Sequence, residues 1–382
     1  MRIGFDCRSA AWYKGTGIGN YSYKLIENIL PFTSHSYDLY TPNNSFINNL
    51  SSYDSPITFH SISGGNTDGF WNRVNSNEYE LSSDLDIFHT PQNGIGLPKN
   101  KKCPLVVTLH DIIPLRMPET VSQTFNQMFH NKIHEIMKQA DGIITVSEFS
   151  KQDILKDFSL DEEKIFVTHL ASDVTYKPIN KKLSKYLIKN KFHIEDDYIL
   201  YIGGFTPRKN IWGIIKSYEK NFHKLKNKYK LVIAGKKGLS YTLYKEYVDK
   251  NNLTDYVIFT GFVDNIYLPF LYNAASLFIF PSFYEGFGLP PLEAMACGTP
   301  VIASNVTSIP EVLKDGALYV DPNDIDDISE KILQLLNTPD LQQELISKGL
   351  EVNSTYSWRK TAMETLDSYE NTLGACKRNG EW

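Results

Sequence analysis

Short apolar runs alternate with longer amphipathic stretches along almost the whole chain. The short runs have strand length, and the longer ones carry apolar residues at helical spacing. Strands are predicted at residues 1–6, 87–89, 105–109, 142–146 and 164–169. A glycine-bearing loop at 15–19 precedes a predicted helix over 20–30. Another helix is predicted over 121–139, broken by Asp141-Gly142, and Ser147-Glu-Phe-Ser150 opens the next. Residues 175–196 read as a linker with a short helix. A second series follows, with strands at 198–202, 230–234, 257–259, 277–280 and 300–303, a short edge strand at 318–321 and a helix over 325–336. Two successive strand–helix series predict an α/β protein of two doubly wound domains with parallel sheets, 1–178 and 179–358.

The chemistry concentrates where strands give way to turns. In Glu285-Gly-Phe-Gly-Leu-Pro-Pro-Leu-Glu293, two carboxylates flank a glycine turn and a Pro-Pro step. An apolar run precedes it, and Leu292 to Gly298 reads as a short helix with Pro291 near its first position and Gly298 as its stop. At the carboxyl end of a parallel strand this is ligand territory. Gly286 and Gly288 allow close backbone approach, and free N–H groups at a helix start favour an anion. Glu293 then suits the diol of a ribose, and Glu285 a sugar hydroxyl or a nearby cation. The plain alternative is one capping and one solvated carboxylate.

Gly203-Gly-Phe-Thr-Pro-Arg-Lys-Asn210 also lies between a strand and a helix. Arg208 and Lys209 there oppose the helix dipole unless an anion sits between them. Together they are suited to stabilise a departing diphosphate. Gly15-x-Gly17-x-Gly19 follows the first strand but lacks the full dinucleotide fingerprint, so a nicotinamide cofactor loses support. His110-Asp111 ends a buried-looking strand.

Taken together, these segments resemble the retaining glycosyltransferases of family four, also called group 1, which have the GT-B fold. The matching segments run in the family's order from residue 1 to about residue 360. The resemblance implies two Rossmann-like domains facing a central cleft, with a C-terminal helix, 359–382, returning to the first. It implies a nucleotide-diphosphate sugar held mainly by the second domain. Arg208 and Lys209 would contact the diphosphate, Glu293 the ribose, and Glu285 with Phe287, Gly288 and Leu289 the sugar side. Gly204, Phe262 and Val263 would lie at the nucleotide, and Gly17 and Ile18 would face it from the first domain. His110 would bond the transferred sugar. The family is held to react on one face of the sugar, with the leaving phosphate helping to deprotonate the acceptor. Catalytic weight therefore falls on His110, Glu285, Arg208 and Lys209. The wording around His110, Ser147 and Arg208 looks most like bacterial mannosyl- or rhamnosyltransferases of surface polysaccharide. GDP-mannose is the expected donor, with UDP-glucose or another UDP-hexose as the close competitor. A glycan or lipid-linked saccharide is the expected acceptor. A nucleotide-sugar epimerase and a non-catalytic sugar-nucleotide binder are the readings from other classes, and product formation separates them.

Composition narrows the field further. The 382 residues are 42% hydrophobic and 22% charged, with a formal net charge of −5, which offers no global field for nucleic acid. Cys7, Cys103, Cys297 and Cys376 have no zinc-type spacing and suggest no disulfide framework. No apolar run reaches membrane-spanning length, so a cytoplasmic protein is expected, peripheral at most to the inner face of the cell membrane. Lysine-rich stretches at 181–191 and 220–230 would suit anionic lipid, although solvated helix faces are the commoner meaning. Asp84-Leu-Asp86 and Asp324-Ile-Asp326 carry the spacing of metal-binding transferases. Their setting at a strand entry and a helix start favours structural roles. With Arg208 and Lys209 available, no metal or other cofactor is expected. Residues 41–83, rich in Ser and Asn, are expected to shape the acceptor side.

Overall fold

The computed structural model describes residues 1–12, 15–42, 54–62, 69–76, 79–238 and 240–380. The chain divides into two units, Met1–Leu170 with Ser357–Trp382, and Ala171–Tyr356. The expected boundaries at 178 and 358 therefore move to 170 and 356. The side chains explain the first shift. Asn273 donates to Lys177 O at 3.0 Å and accepts from Ile179 N at 2.7 Å, and Ser172 bonds Asn353 at 2.8 Å. These bonds fasten the connecting segment to the second unit.

In the first unit the strands are β1 (Arg2–Asp6), β2 (Ser36–Thr41), β3 (Ile57–Ser61), β4 (Ile87–Thr90), β5 (Leu105–Thr108), β6 (Gly142–Thr145) and β7 (Ile165–Val167). They pair in parallel, in the order β3-β2-β1-β4-β5-β6-β7. The second unit holds β8 (Asp197–Ile202), β9 (Tyr229–Ala234), β10 (Val257–Gly261), β11 (Leu277–Phe280), β12 (Val301–Ser304) and β13 (Ala317–Val320). They too are parallel, in the order β10-β9-β8-β11-β12-β13. Each sheet reverses its winding once, between β1 and β4 and between β8 and β11. Parallel strands covered on both faces read as continuous apolar runs, as in Leu-Phe-Ile-Phe of β11, where every residue is buried.

Two helix starts differ from expectation. The helix Gly17–Ile29 begins three residues before residue 20, because the Thr16 side chain accepts from Gly19 N at 3.2 Å and caps it. The glycine stretch is thus a helical first turn. The helix Leu289–Ala296 takes in both Pro290 and Pro291, and Gly298 with φ +72° follows its end. β2 and β3 were not predicted: β2 buries polar residues such as Asp38 and Thr41, which breaks the apolar signal. Much of 41–83 lies outside the described residues, so the acceptor-side reading of 43–53, 63–68 and 77–78 does too.

The helix Trp358–Arg378 belongs to the first unit and packs across it. Tyr369 meets His89 Nδ1 at 2.6 Å, and Thr361 donates to His169 O at 2.6 Å. Among the described residues, no helix is long and apolar enough to cross a membrane. Several lysines of the basic stretches pair locally: Lys185 with Asp197, Lys189 with Glu195, Lys220 with Asp326 and Lys230 with Asp196. All four cysteines are buried.

Candidate functional site

The loops after β8 and β11 leave the second sheet on either side of its winding reversal, where an open α/β sheet forms its ligand crevice. Asn210 stitches them together. It takes φ +53°, caps the helix Ile211–Lys220 through Gly213 N at 3.0 Å, and donates to Pro281 O at 3.1 Å and Pro322 O at 2.7 Å. Asn tolerates this left-handed conformation better than most residues. Phe283 N donates to Arg208 O at 2.9 Å, adding a second stitch.

That stitching brings Arg208, Lys209 and Glu285 together. Glu285 receives Arg208 Nη1 at 2.8 Å on one oxygen and Lys209 Nζ at 2.6 Å on the other. It is only 7% exposed. Burial alone would raise its pKa, but the Arg208 and Lys209 charges outweigh it and hold the carboxyl at about 2. Arg208 also donates to Tyr284 O, and Lys209 Nζ lies 4.9 Å from the Phe280 ring centre. Two cations gathered around one carboxylate are an arrangement suited to a polyanion.

The turn itself is held from β12's side. Glu285 N donates to Thr307 Oγ1 at 3.2 Å, and Ser308 Oγ donates to the carbonyls of Glu285 at 2.8 Å and Phe287 at 3.2 Å. Gly288 has φ +106°, and a Cβ there would lie 2.6 Å from Ile309 Cδ1. Phe287 is buried, with its ring 5.9 Å from Tyr356. Leu289 is half-buried. Pro290 and Pro291 have no N–H, so the amides at this helix start are those of Gly288 and Leu289.

Glu293 is the fifth residue of the helix rather than the third, and it is not part of the basic knot. Its Oε2 accepts from Tyr272 Oη at 2.8 Å, and the Tyr176 hydroxyl lies nearby. Burial lifts it to about 7, against the Tyr272 bond and the nearby Tyr176 hydroxyl, which favour the charged form. Gly204 has open space where a side chain would stand. Gly261, with φ +71°, accepts from Gly235 N at 2.9 Å; beyond it Phe262 is 63% exposed and Val263 is buried.

In the first unit, His110 follows β5. Its N–H donates to Asn93 Oδ1 at 3.1 Å and its Nε2 donates to Pro91 O at 3.0 Å. Tyr21 stands edge-on to the ring at 4.7 Å. Burial lowers His110 to about 4, so the imidazole is neutral at ordinary pH and Nδ1 is an acceptor. Asp111 caps the next turn through Ile113 N at 3.0 Å. Gly17 and Ile18 form the first turn of their helix, with Gly17 exposed.

Three features were missed from sequence. Asp6 and Arg8 form a fully buried ion pair at the end of β1, 2.6 Å apart, and Arg8 also donates to Val74 O at 2.9 Å and Gly96 O at 2.5 Å. The signal available was an acid and a base two apart at a strand end. Tyr272 and Tyr176 gave none, because a tyrosine among apolar residues reads as core. The aspartates of both D-x-D strings have local partners: Asp86 accepts from Arg2 N at 2.7 Å, Asp84 pairs with Arg2, Asp324 caps its helix through Asp326 N at 2.8 Å, and Asp326 pairs with Lys220.

Known proteins resemble this chain in sequence and in fold. The family model described as Glycosyl transferases group 1 matches residues 185–352, and that described as Glycosyltransferase Family 4 matches residues 17–176. The O-antigen chain mannosyltransferase B of Escherichia coli is 36% identical over 265 residues, 69% of this chain and 70% of that protein. The O-antigen chain mannosyltransferase RfbU of Salmonella typhimurium is 35% identical over 252 residues, covering 66% of this chain and 65% of that one. The serotype-specific mannosyltransferase WbdA of Escherichia coli is 32% identical over 71% of this chain, which spans only 34% of WbdA. In structure, a sucrose-phosphate synthase from Thermosynechococcus elongatus superposes with a TM-score of 0.75 at 20% identity, over 98% of this chain and all of that one. Anabaena Alr3699/HepE, in complex with UDP and glucose, superposes with a TM-score of 0.72 at 17% identity, over 97% of this chain and 99% of that one.

Proposed function

Because this chain belongs to the group 1 glycosyltransferases of family four, with the GT-B fold, we propose that it moves mannose from GDP-mannose to a saccharide acceptor in surface-polysaccharide synthesis. The observation that carries the donor reading is the Arg208–Lys209–Glu285 knot at the winding reversal of the second sheet. Arg208 and Lys209 stabilise the diphosphate as the sugar–oxygen bond breaks, a fixed charge aimed at developing charge. Glu285 fixes both cations and presents its remaining lone pairs to the sugar side. Glu293 takes the ribose diol. The first unit supplies the acceptor side, where the neutral His110 ring accepts a sugar hydroxyl through Nδ1.

Retention follows from reaction on one face, with the leaving phosphate taking the acceptor proton. The cationic pair supplies the charge that a metal gives in other transferases, so turnover continues in a chelator. The mannose preference rests on relatives named as O-antigen chain mannosyltransferases at 35–36% identity and on a serotype-specific mannosyltransferase at 32%. A lipid-linked acceptor would bring the protein to the inner face of the cell membrane.

The test is product formation from GDP-mannose, UDP-glucose and other UDP-hexoses with a lipid-linked saccharide, with and without chelator, and the anomeric configuration read by NMR. An α-mannoside formed from GDP-mannose in chelator supports every part of the reading. Loss of activity in chelator overturns metal independence, and transfer from UDP-hexose alone overturns the donor. Conversion of donor without an acceptor favours an epimerase.

A further inference from the structure

Ser308 stands at the N-cap of the helix Ile309–Leu313, where a serine ordinarily accepts from an amide of its own helix, yet it makes no such bond. Its hydroxyl, on a residue with no exposed surface, turns the other way. It donates to Glu285 O at 2.8 Å and to Phe287 O at 3.2 Å, sharing one hydrogen between two carbonyls of the neighbouring turn. Thr307 beside it takes φ +59°, a conformation that β-branched residues rarely adopt, and its Oγ1 accepts from Glu285 N at 3.2 Å. Ile309 Cδ1 lies 2.6 Å from the place where a Gly288 Cβ would stand. Three successive residues after β12 thus grip the backbone of the turn that follows β11.

The direction of these bonds fixes the peptides that follow. In a trans peptide the N–H points opposite to the C=O, and every described peptide is trans. The carbonyls of Glu285 and Phe287 point at Ser308, so the amides of Gly286 and Gly288 are turned away from it. In the sheet β11 lies between β8 and β12. The loop after β12 takes the backbone of the turn, while the Glu285 side chain reaches the other way, to Arg208 and Lys209 on the loop after β8. The side away from Ser308 is therefore the side on which the two cations stand. We propose that Ser308 is a positioning residue for diphosphate recognition, and that its hydroxyl aims the Gly288 amide at the phosphate held by Arg208 and Lys209. This rests on the reading of Arg208 and Lys209 as the diphosphate contacts. It accounts for a serine that forgoes its own helix cap, and for a threonine held in a left-handed conformation next to it.

The test is calorimetric titration of the full chain with GDP and UDP, with GMP and UMP, and with GDP-mannose. The affinity ratio of diphosphate to monophosphate isolates the terminal phosphate, because base and ribose are common to both. Ser308→Ala lowers this ratio about tenfold and leaves the monophosphate affinity at its wild-type value. Loss of stability alone would not move the ratio, since it is read on folded protein. Ser308→Cys, close in shape but a weak donor, gives a ratio between those of the wild type and Ser308→Ala, and serves by itself where Ser308→Ala fails to fold. An unchanged ratio, or an equal loss with mono- and diphosphates, overturns the proposal. A loss with GDP-mannose that is absent with GDP also overturns it, because the amide then serves the sugar. Binding of neither GDP nor UDP to the wild type overturns the donor site itself, and this inference with it.

Discussion

Lys209 donates to Glu285 at 2.6 Å although 76 residues of sequence separate them. The contact joins the loops of two neighbouring strands, and it leaves a buried carboxylate and two cations in mutual dependence. Lys209→Ala should lower nucleoside-diphosphate affinity about ten- to a hundredfold, read by calorimetry. It should also lower stability by about 1–3 kcal/mol, because Glu285 keeps only one cation. Lys209→Met combined with Glu285→Gln leaves Arg208 without its carboxylate, so neither stability nor affinity should recover. Recovery of both would deny the pair its role at a phosphate.

Glu285 and Glu293 should impose opposite pH dependences on folding. Glu285 is depressed from 4.5 to about 2, so its contribution is full above pH 4.5 and is lost as pH falls through 2. Glu293 is raised from 4.5 to about 7, so the folded state loses stability as pH rises across that interval. Glu293→Gln should therefore raise stability near pH 8 by about 1–3 kcal/mol while abolishing nucleotide-induced stabilisation. Denaturant titrations at about pH 5 and pH 8 read the difference, which should be small at the lower pH.

Gly288→Ala tests the turn. The left-handed φ of +106° and the approach of Ile309 Cδ1 both oppose a side chain. Stability should fall by about 1–3 kcal/mol, and nucleotide affinity should fall with it because the adjoining amides move. An alanine variant with wild-type melting temperature and affinity would show that the turn relaxes freely.

Arg8→Ala addresses the first unit. Removing the guanidinium strands Asp6 in a site with no exposed surface and frees the carbonyls of Val74 and Gly96. A loss of about 3–5 kcal/mol is expected in chemical denaturation. Asp6→Asn combined with Arg8→Met should be milder than Arg8→Ala alone, since no buried charge is then left unpaired.

The linear chain was enough for the fold class and for singling out Arg208, Lys209 and Glu285, which the structure brings together. Two strand–helix series, an apolar run before each glycine turn, and the placement of Arg208, Lys209 and Glu285 after strands are all local signals. Parallel pairing then follows, because short strands joined through helices have few other arrangements. The strand order, which sets β8 beside β11, had to come from the folded chain, because pairing between distant segments leaves no mark on either one. The same holds for the bond between Lys209 and Glu285, for the Tyr272 phenol on Glu293 and for the ion pair at the end of β1. Each depends on which residues the sheet and its helices carry into contact, and on burial that turns a common side chain into a shifted acid or a fixed donor. Pro290 and Pro291 were plain to read, but their removal of two amides became visible only once the helix was seen to begin at Leu289. Sequence determined which groups were available; packing decided which of them meet and in what charge state.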